Sequence, residues 1–164
     1  MIQLSGVSLA HHRFNSYSDY KLNADLAQGK QVLYLLPEIA LTTQLVSRLT
    51  QHFGNEVAVF HSKYSNNERI EVWNQVLENS PKAKVVIGVR SALFLPFSNL
   101  GCIIVDEEHE QTYKQHDPAP RYHARDAAIV LAKQHNAKVL LGSATPSLES
   151  FYNVQSKKYG LTEL

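Results

Sequence analysis

The stretch Gly101–Glu110, GCIIVDEEHE, joins an apolar run to a cluster of charge. Cys102–Val105 are apolar, and the five residues Asp106–Glu110 contain four acidic residues and one histidine. An unbroken apolar run is typical of a strand that is covered on both faces of a sheet. The carboxylates beyond it need donors, cations or water, because a buried unpaired charge is costly. The stretch therefore predicts a buried strand that delivers carboxylates to one edge of a sheet.

Other short apolar runs alternate with longer amphipathic segments along the chain. The further predicted strands are Val32–Leu36, Val57–Phe60, Lys84–Val89 and Val139–Leu141. The predicted helices cover Ile39–Phe53, a segment opened by the capping box Ser65–Glu68, Ala124–His135, and a segment after Thr145. Strands and helices that alternate in this way predict an α/β fold. We expect a three-layer arrangement, with a parallel sheet and helices on both of its faces.

Several helix boundaries and faces are predicted in more detail. Thr145 is expected to cap the last helix, with Pro146 at its first position. A helix over Asp19–Gln28, ended by Gly29, is predicted before the first strand of the alternating part. The residues of Ala124–His135 that are expected to face the core are Ala127, Ala128, Val130 and Leu131.

Composition excludes several classes of protein. The chain has 164 residues, of which 44% are hydrophobic and 19% charged, and its formal net charge is +1. These values are typical of one globular domain and exclude a disordered chain. The single cysteine, Cys102, excludes a disulfide framework and a multi-cysteine zinc site, and we expect a buried, unreactive thiol there. No membrane span or signal peptide is recognised, so a cytoplasmic protein is expected.

Polar residues follow four of the predicted strands. They are Pro37-Glu38, His61-Ser62, Asp106-Glu107 and Gly142-Ser143-Ala144-Thr145. In an open parallel sheet, ligands bind beyond the carboxyl ends of the strands. Asp106 is a candidate to hold nucleotide-bound Mg²⁺, and Glu107 to accept a proton from an attacking water. The hydroxyls of Ser143 and Thr145 are candidates to bond to the acidic segment. The alternative for the acidic pair is a helix N-terminus satisfied by the helix dipole.

Longer motifs carry a resemblance to a known family. Asp106–His109 resembles motif II of the superfamily 2 helicases of the DEAH type, and Ser143–Thr145 resembles their motif III. The segments that are similar to the primosomal protein N′ family, the bacterial replication-restart DNA helicases, are Leu36–Thr42, Gly88–Phe97, Val105–Glu110 and Pro120–Asp126. The resemblance runs from about Gln28 to Glu149. It implies a RecA-like lobe of the P-loop NTPase type, the first of two helicase lobes.

The resemblance also implies roles for individual residues. Asp106 and Glu107 become catalytic, with ATP and Mg²⁺ as ligands, and Gly6, Ser143 and Thr145 become further nucleotide contacts. The residues expected to couple the two activities are His109, Ser143, Ala144 and Thr145. The residues expected to contact DNA are Pro37, Glu38, Thr42, Arg90, Ser91, Tyr113, Lys114, Arg121 and Tyr122. Aromatic and basic residues interleaved over Gln111–Arg125 suit stacking on unpaired bases. The alternatives are a solvated Arg90 and a partly packed crossover loop.

One expected element is absent from the sequence. The family places a glycine-rich phosphate loop that ends in Gly-Lys-Ser/Thr about twenty residues before Gly29-Lys30. Gly6-Val7-Ser8 resembles its opening, but the only Gly-Lys of the chain is Gly29-Lys30, followed by Gln31. We therefore predict an atypical segment over residues 1–27 and a RecA-like lobe over residues 28–164. ATP binding is expected to be weak and hydrolysis deficient.

The sequence supports two hypotheses for the function of this chain. In the first, the chain is the ATP-binding lobe of a larger replication-restart helicase and is inactive in isolation. Its expected partners are single-stranded or forked DNA, the second helicase lobe and other primosome proteins, with no membrane and no zinc in this chain. In the second, it is a non-catalytic module that binds single-stranded DNA or a protein. A metal hydrolase is disfavoured, because the histidines lack i, i+4 pairing with the acidic residues.

Overall fold

The computed structural model of the chain describes residues 2–5 and 24–162. The strands in these residues are β1 (Ile2–Ser5), β2 (Gln31–Leu35), β3 (Val57–Phe60), β4 (Val85–Gly88), β5 (Leu100–Asp106), β6 (Lys138–Gly142) and β7 (Gly160–Thr162). Within the same described residues, the helices of eight residues or more are α1 (Thr43–Phe53), α2 (Asn66–Leu77), α3 (Ala124–Gln134) and α4 (Leu148–Gln155). A helical turn at residues 24–27 precedes β2.

The seven strands form one sheet in the order β3-β4-β2-β5-β6-β1-β7, and all pairings between neighbours are parallel. Leu35 of β2 pairs with Gly88 of β4 and with Val105 of β5. Asp106 at the end of β5 pairs with Gly142 of β6. The carboxyl ends of four central strands therefore meet at one edge. The α/β class, the parallel sheet and the five predicted strands are confirmed.

Helices cover both faces of this sheet. Leu33 and Leu35 of β2 belong to one buried cluster, which also contains residues of α2 and α3. Val32 and Tyr34, which alternate with them, belong to a second cluster with Leu45 and Leu49 of α1. Successive side chains of a strand point to opposite faces, so the two clusters lie on opposite sides of the sheet. The predicted three-layer arrangement is confirmed.

Two strands, β1 and β7, were not predicted from the sequence. β1 lies between β6 and β7 in the sheet, and Gln3 pairs with Leu140 on one side and with Gly160 on the other. Residues 24–27 are helical, and Gly29 has a φ of +71°, which agrees with the predicted end of this helix at Gly29. The remainder of the predicted helix over residues 19–23, like Gly6, lies outside the described residues. The boundary between residues 27 and 28 stays a prediction.

The predicted starts of two helices are wrong, and side-chain caps explain both. Glu38–Ala40 forms a separate 3₁₀ turn, and α1 begins only after Thr42, whose hydroxyl accepts a hydrogen bond from the Leu45 amide at 3.3 Å. The last helix is capped by Ser147 and not by Thr145, because the Ser147 hydroxyl accepts from the Ser150 amide. The capping box Ser65–Glu68 is confirmed in full.

One predicted core residue is also wrong. Val130 of α3 is 58% exposed. The buried stripe of this helix is formed by Ala124, Ala128 and Ala132, spaced at i, i+4 and i+8. Val130 lies half a turn away from Ala128 and Ala132, so the small alanines and not the valine set the distance between helix and sheet. Cys102 is buried, as predicted.

Among the described helices, none has both the length and the apolar character that a membrane crossing requires.

Candidate functional site

Asp106, the last residue of β5, is held completely inside the protein. Its side chain is 0% exposed. The Tyr34 hydroxyl donates to its Oδ2 at 3.1 Å, and the Glu107 amide donates to its Oδ1 at 3.1 Å. The Asp106 carbonyl accepts from the Tyr113 hydroxyl at 2.6 Å. Both carboxylate oxygens are thus fixed in direction by donors from this chain.

Two buried tyrosines surround this aspartate. Tyr113 bridges two strand ends, because its hydroxyl lies 3.0 Å from the Leu35 carbonyl and 2.6 Å from that of Asp106. Burial, followed by the charge of Asp106, raises the pKa of Tyr34 and of Tyr113 well above its ordinary value of 10.0. Both hydroxyls therefore remain protonated donors at neutral pH.

Glu107 turns the chain sharply after the strand. Its φ is +49°, and of the other non-glycine residues with positive φ in the described part, two are asparagines. A glutamate in this region of backbone space is uncommon and is often found at functional sites. The Glu110 amide closes the turn on the Glu107 carbonyl at 2.8 Å. The Glu107 side chain is 20% exposed, so its carboxylate remains accessible.

Glu108 points inward and is also 0% exposed. Its Oε1 accepts from the Ser147 amide at 2.7 Å. Its Oε2 accepts from the Ser147 hydroxyl at 3.0 Å, the Ser150 hydroxyl at 2.9 Å and Nη1 of Arg125 at 3.0 Å. One buried carboxylate therefore joins the end of β5 to the first residues of α3 and α4. No separate role of Glu108 was predicted from the sequence.

His109 connects the acidic turn, Asp106–Glu110, to the segment after β6. Its Nδ1 lies 2.6 Å from the Ser143 hydroxyl and 3.6 Å from the Glu107 carboxylate, and its Nε2 lies 3.4 Å from the Thr145 hydroxyl. The Ser143 hydroxyl also accepts from the Thr145 amide at 3.1 Å. Ala144 is exposed. The bonds predicted between the hydroxyls of this segment and the acidic turn are present.

The aromatic loop, residues 111–123, packs on the turn that follows β4. Nη1 of Arg90 donates to the carbonyls of Thr112 at 3.0 Å and Lys114 at 3.3 Å, the two neighbours of Tyr113. The Tyr122 hydroxyl donates to the Arg90 carbonyl at 3.5 Å. One guanidinium nitrogen of Arg90 is therefore engaged inside the chain, and Arg90 orders the loop in addition to its predicted DNA contact.

A cleft of 420 Å³ opens beside the acidic turn. Glu107 and Glu110 form one wall, and the segment between β2 and α1, with Arg48 of α1, forms the other. Glu38 and Thr42 of this segment are exposed, whereas Pro37 is buried. The cleft thus brings the accessible carboxylate of Glu107 near a hydroxyl and a cation, groups that suit a polar or anionic ligand.

The acidic turn fits a magnesium ion only in part. Mg²⁺ takes oxygen ligands in a nearly octahedral arrangement. Asp106 supplies the right atom type, but it is inaccessible and both of its oxygens already accept hydrogen bonds. A direct bond from Asp106 to magnesium does not fit this arrangement. In the described residues, no group of three or more His, Cys, Asp and Glu side chains is placed to hold a metal ion.

The profile of the family described as "DEAD/DEAH box helicase" matches residues 11–154. The chain belongs to this family. The match spans the acidic turn and the segment after β6, so both lie within the part of the chain that defines the family.

The chain is also similar to curated proteins that are named for replication restart. The chain is 56% identical over 134 residues to "Replication restart protein PriA" of Haemophilus influenzae, a match that covers 82% of this chain and 18% of that protein. It is 48% identical over 139 residues to the protein of the same name from Bacillus subtilis, covering 85% of this chain and 17% of that protein. The resemblance drawn from the motifs is confirmed. The chain spans less than a fifth of the length of these relatives.

Solved structures support the fold. Domain 2 of the DEAD-box helicase Mss116p, in a structure titled as bound to an RNA duplex, superposes with a TM-score of 0.67. The alignment covers 99% of this chain and 62% of that chain at 13% identity. This likeness, together with the family match, makes the lobe RecA-like.

The remaining helicase-motif residues occupy different environments. Tyr113 is 1% exposed and cannot stack on a base in this conformation, so its predicted DNA contact has no accessible ring here. Nζ of Lys114 donates to the Arg121 carbonyl at 2.8 Å, and the Arg121 side chain is exposed. Ser91 is half-buried. Tyr34 was missed, although a single tyrosine in the run VLYLL was a signal that one hydroxyl had to be satisfied in the core.

Proposed function

We propose that this chain is the ATP-binding lobe of a bacterial replication-restart DNA helicase. In the complete helicase, ATP hydrolysis would drive translocation along single-stranded DNA. The observation that carries the proposal is the bonding of His109 to Ser143 and Thr145, which joins the acidic turn to the segment that resembles motif III. The relatives named for replication restart support the same function.

Within this function, the residues of the acidic turn have separate roles. Glu107 is the accessible carboxylate, and in this role it would accept the proton of a water that attacks ATP. Asp106 is oriented by Tyr34, and its negative charge would favour a cation such as nucleotide-bound Mg²⁺ near the turn. Glu108 is fully used by donors of this chain, so it supports the turn and does not take part in the reaction. His109 contacts Glu107, Ser143 and Thr145, so a movement of the Glu107 carboxylate would also move the Ser143 and Thr145 hydroxyls.

Nucleic acid is proposed to bind at the same edge of the sheet. Thr42, Arg90 and Arg121 offer a hydroxyl and two cations, which suit a phosphate backbone without regard to sequence. Arg90 also holds the aromatic loop, whose Tyr113 bonds to Asp106. Binding at the loop is therefore coupled to the acidic turn. The partners that follow are single-stranded or forked DNA, a second helicase lobe and other primosome proteins.

A second candidate is a non-catalytic module that binds single-stranded DNA or a protein. The complete enclosure of Asp106 favours it, because magnesium has no open oxygen there. The sequence favours it too, since Gly6 is not followed at the expected distance by Gly-Lys-Thr. On both proposals the isolated chain hydrolyses ATP poorly.

The experiment compares nucleotide binding and DNA binding in two chains. The parent chain is tested beside a triple variant, His11→Gly, His12→Lys and Arg13→Thr, which creates the spacing of a phosphate loop after Gly6. Calorimetry measures Mg·ATP binding, phosphate release measures hydrolysis, and anisotropy of a labelled thymidine oligonucleotide measures DNA binding.

The helicase-lobe proposal predicts DNA binding by both chains and a gain of Mg·ATP affinity only in the triple variant. A triple variant that still fails to bind Mg·ATP while DNA binding persists would favour the non-catalytic module. Micromolar Mg·ATP affinity of the parent chain, with hydrolysis that Glu107→Gln removes, would refute the expected deficiency. Absence of DNA binding in both chains would refute both candidates as DNA-binding lobes.

A further inference from the structure

The surface beside the aromatic loop carries an exposed aromatic ring. Phe94, in the 3₁₀ turn Arg90–Phe94 after β4, is 58% exposed. Leaving an aromatic ring in water is unfavourable, although single exposed apolar side chains are common on soluble proteins. The surroundings of Phe94 set it apart from those cases.

Tyr122 fixes the orientation of this ring. The ring centroids of Phe94 and Tyr122 are 5.2 Å apart, and the ring planes meet at 84°, an edge-to-face arrangement. If the edge of Tyr122 contacts one face of Phe94, the opposite face of Phe94 is not covered by Tyr122. If the edge of Phe94 contacts Tyr122, neither face of Phe94 is covered by Tyr122. In either case Tyr122 leaves at least one flat apolar face of Phe94 open.

Tyr122 is itself anchored. It is half-buried, and its hydroxyl donates to the carbonyl of Arg90, the first residue of the turn that carries Phe94. A ring contact and a hydrogen bond therefore join two segments that are far apart in sequence. A ring held in this way loses little conformational entropy when a flat ligand stacks on it.

Three cations belong to the two segments that carry the pair. Arg90 begins the turn that carries Phe94, and Arg121 is adjacent to Tyr122 and exposed. Lys114 bonds to the Arg121 carbonyl, and its backbone forms a bridge with His123. The acidic residue of the same loop, Asp117, reduces this positive charge but does not cancel three cations. An exposed ring on segments that also carry cations matches a base attached to a phosphate chain.

We propose that Phe94, supported by Tyr122, is a stacking platform for one unpaired base. This inference rests on the proposed binding of single-stranded nucleic acid and names the residue that receives a base. It also separates the task of Tyr113, which was predicted to contact DNA, from that of Phe94, for which no DNA contact was predicted. Tyr113 is 1% exposed and bonded to two carbonyls, so it supports the loop, whereas Phe94 offers the accessible ring.

The test measures affinity for a thymidine oligonucleotide and for an abasic strand of the same length. Phe94→Ala and Phe94→Leu should weaken binding of the thymidine strand about 5- to 150-fold, because base stacking on an aromatic residue has that value. Phe94→Trp should retain affinity. None of these variants should change the affinity for the abasic strand, since the phosphate contacts remain.

Val130→Ala is the matched control, because Val130 is also 58% exposed and lies on α3. It should bind both strands as the parent chain does. Arg121→Ala should weaken both strands alike and lower the dependence of affinity on salt. Circular dichroism melting of each variant verifies that it is folded, and Phe94→Leu keeps an apolar side chain for that purpose.

Other outcomes overturn the inference in distinguishable ways. Equal weakening of both strands by Phe94→Ala would show that the ring does not read a base. Unchanged affinity in Phe94→Ala, with weaker binding in Arg121→Ala, would refute stacking and leave the proposed DNA surface intact. A fall in the sedimentation mass of Phe94→Ala would assign the ring to an interface between two copies. No binding by the parent chain would refute the proposed DNA surface itself.

Discussion

Nη1 of Arg125 lies 3.0 Å from the buried Oε2 of Glu108, and this contact ties the start of α3 to the end of β5. The Arg125 residue is 8% exposed and Glu108 is 0% exposed. Burial lowers the pKa of the Arg125 guanidinium, but its hydrogen bonds to Glu108 and Asp126 outweigh this, and the net pKa is raised. Arg125 therefore remains charged, and Glu108 has a permanent cation beside it. The Ser147 hydroxyl accepts from Arg125 at 2.7 Å, which extends the contact to α4.

Removing the cation should be costly. Arg125→Met leaves the Glu108 carboxylate buried with only neutral donors, and breaking a buried pair in this way costs about 3–5 kcal/mol. The midpoint of urea unfolding should fall accordingly, with Arg125→Lys between the variant and the parent chain.

The matched control for this prediction is Lys133→Met, an exposed cation on the same helix. It should change the free energy of unfolding by less than about 0.5 kcal/mol. The double variant Arg125→Met, Glu108→Leu should be more stable than Arg125→Met alone, because no unpaired charge remains. If Arg125→Met unfolds at the same urea concentration as the parent chain, the buried ion pair does not stabilise the fold.

Stability should decline in alkaline solution. Tyr34 and Tyr113 have a pKa above 10.0 in the folded chain, whereas an unfolded tyrosine ionises near pH 10. The folded state thus holds protons that the unfolded state releases. This contribution is complete below about pH 10 and is lost as the pH rises toward the folded pKa values. Urea unfolding between about pH 8 and about pH 11 should show the decline.

Tyr34→Phe and Tyr113→Phe should each make that decline shallower. Tyr152→Phe is the matched control, because Tyr152 is 64% exposed, and its slope should equal that of the parent chain. If the slopes of all three variants agree with the parent chain, the two buried tyrosines are not responsible for the alkaline loss.

A single methyl group at Gly88 should disturb the turn that carries Arg90. A Cβ at Gly88 would lie 2.5 Å from the Ala92 Cβ and 3.0 Å from the Phe60 carbonyl oxygen. Neither atom is the end of a flexible side chain, so backbone has to move. Gly88→Ala should destabilise the chain by about 1–3 kcal/mol, measured by thermal and urea unfolding.

Gly160→Ala serves as the comparison at another strand. The nearest atom to a Cβ there is the Ile2 carbonyl oxygen at 3.9 Å, an ordinary contact. Its unfolding midpoint should remain close to that of the parent chain. Similar losses in both variants would point to a general effect of alanine in the sheet and against the close approach at Gly88.

Cys102 gives a direct measure of opening at β5. It is the only cysteine of the sequence and is 6% exposed. A thiol reagent should react much more slowly with the native chain than with the chain in denaturant, because the thiolate must first reach solvent. Arg125→Met should accelerate the reaction. A native chain that reacts as fast as the unfolded one would show that β5 is not protected.

The strand cores and the acidic turn were predictable because their signal is local. Unbroken apolar runs located five strands, and the abrupt change at Asp106 located the turn. Among contacts between distant segments, those of Ser143 and Thr145 with the acidic turn were predicted, whereas those of Glu108 were not. The role of Glu108 depends on Arg125 and Ser147, and no local pattern in the sequence pairs them. The predicted buried face of α3 was wrong at Val130, because the small alanines of α3 and not Val130 pack against the sheet.

Strand β1 has a consequence for the order in which the molecule is completed during synthesis. Both of its neighbours, β6 and β7, lie at the other end of the sequence, and Gln3 bonds to Thr162 across 159 positions. β1 is synthesised before β6 and β7, so its two partners in the sheet are missing until the segment from Lys138 onward has emerged from the ribosome. Closing so long a loop is slow, so the central strands are expected to assemble first and β1 to insert last. A nascent chain arrested before β6 would therefore present β1 as an unpaired edge, a target for chaperones and for aggregation.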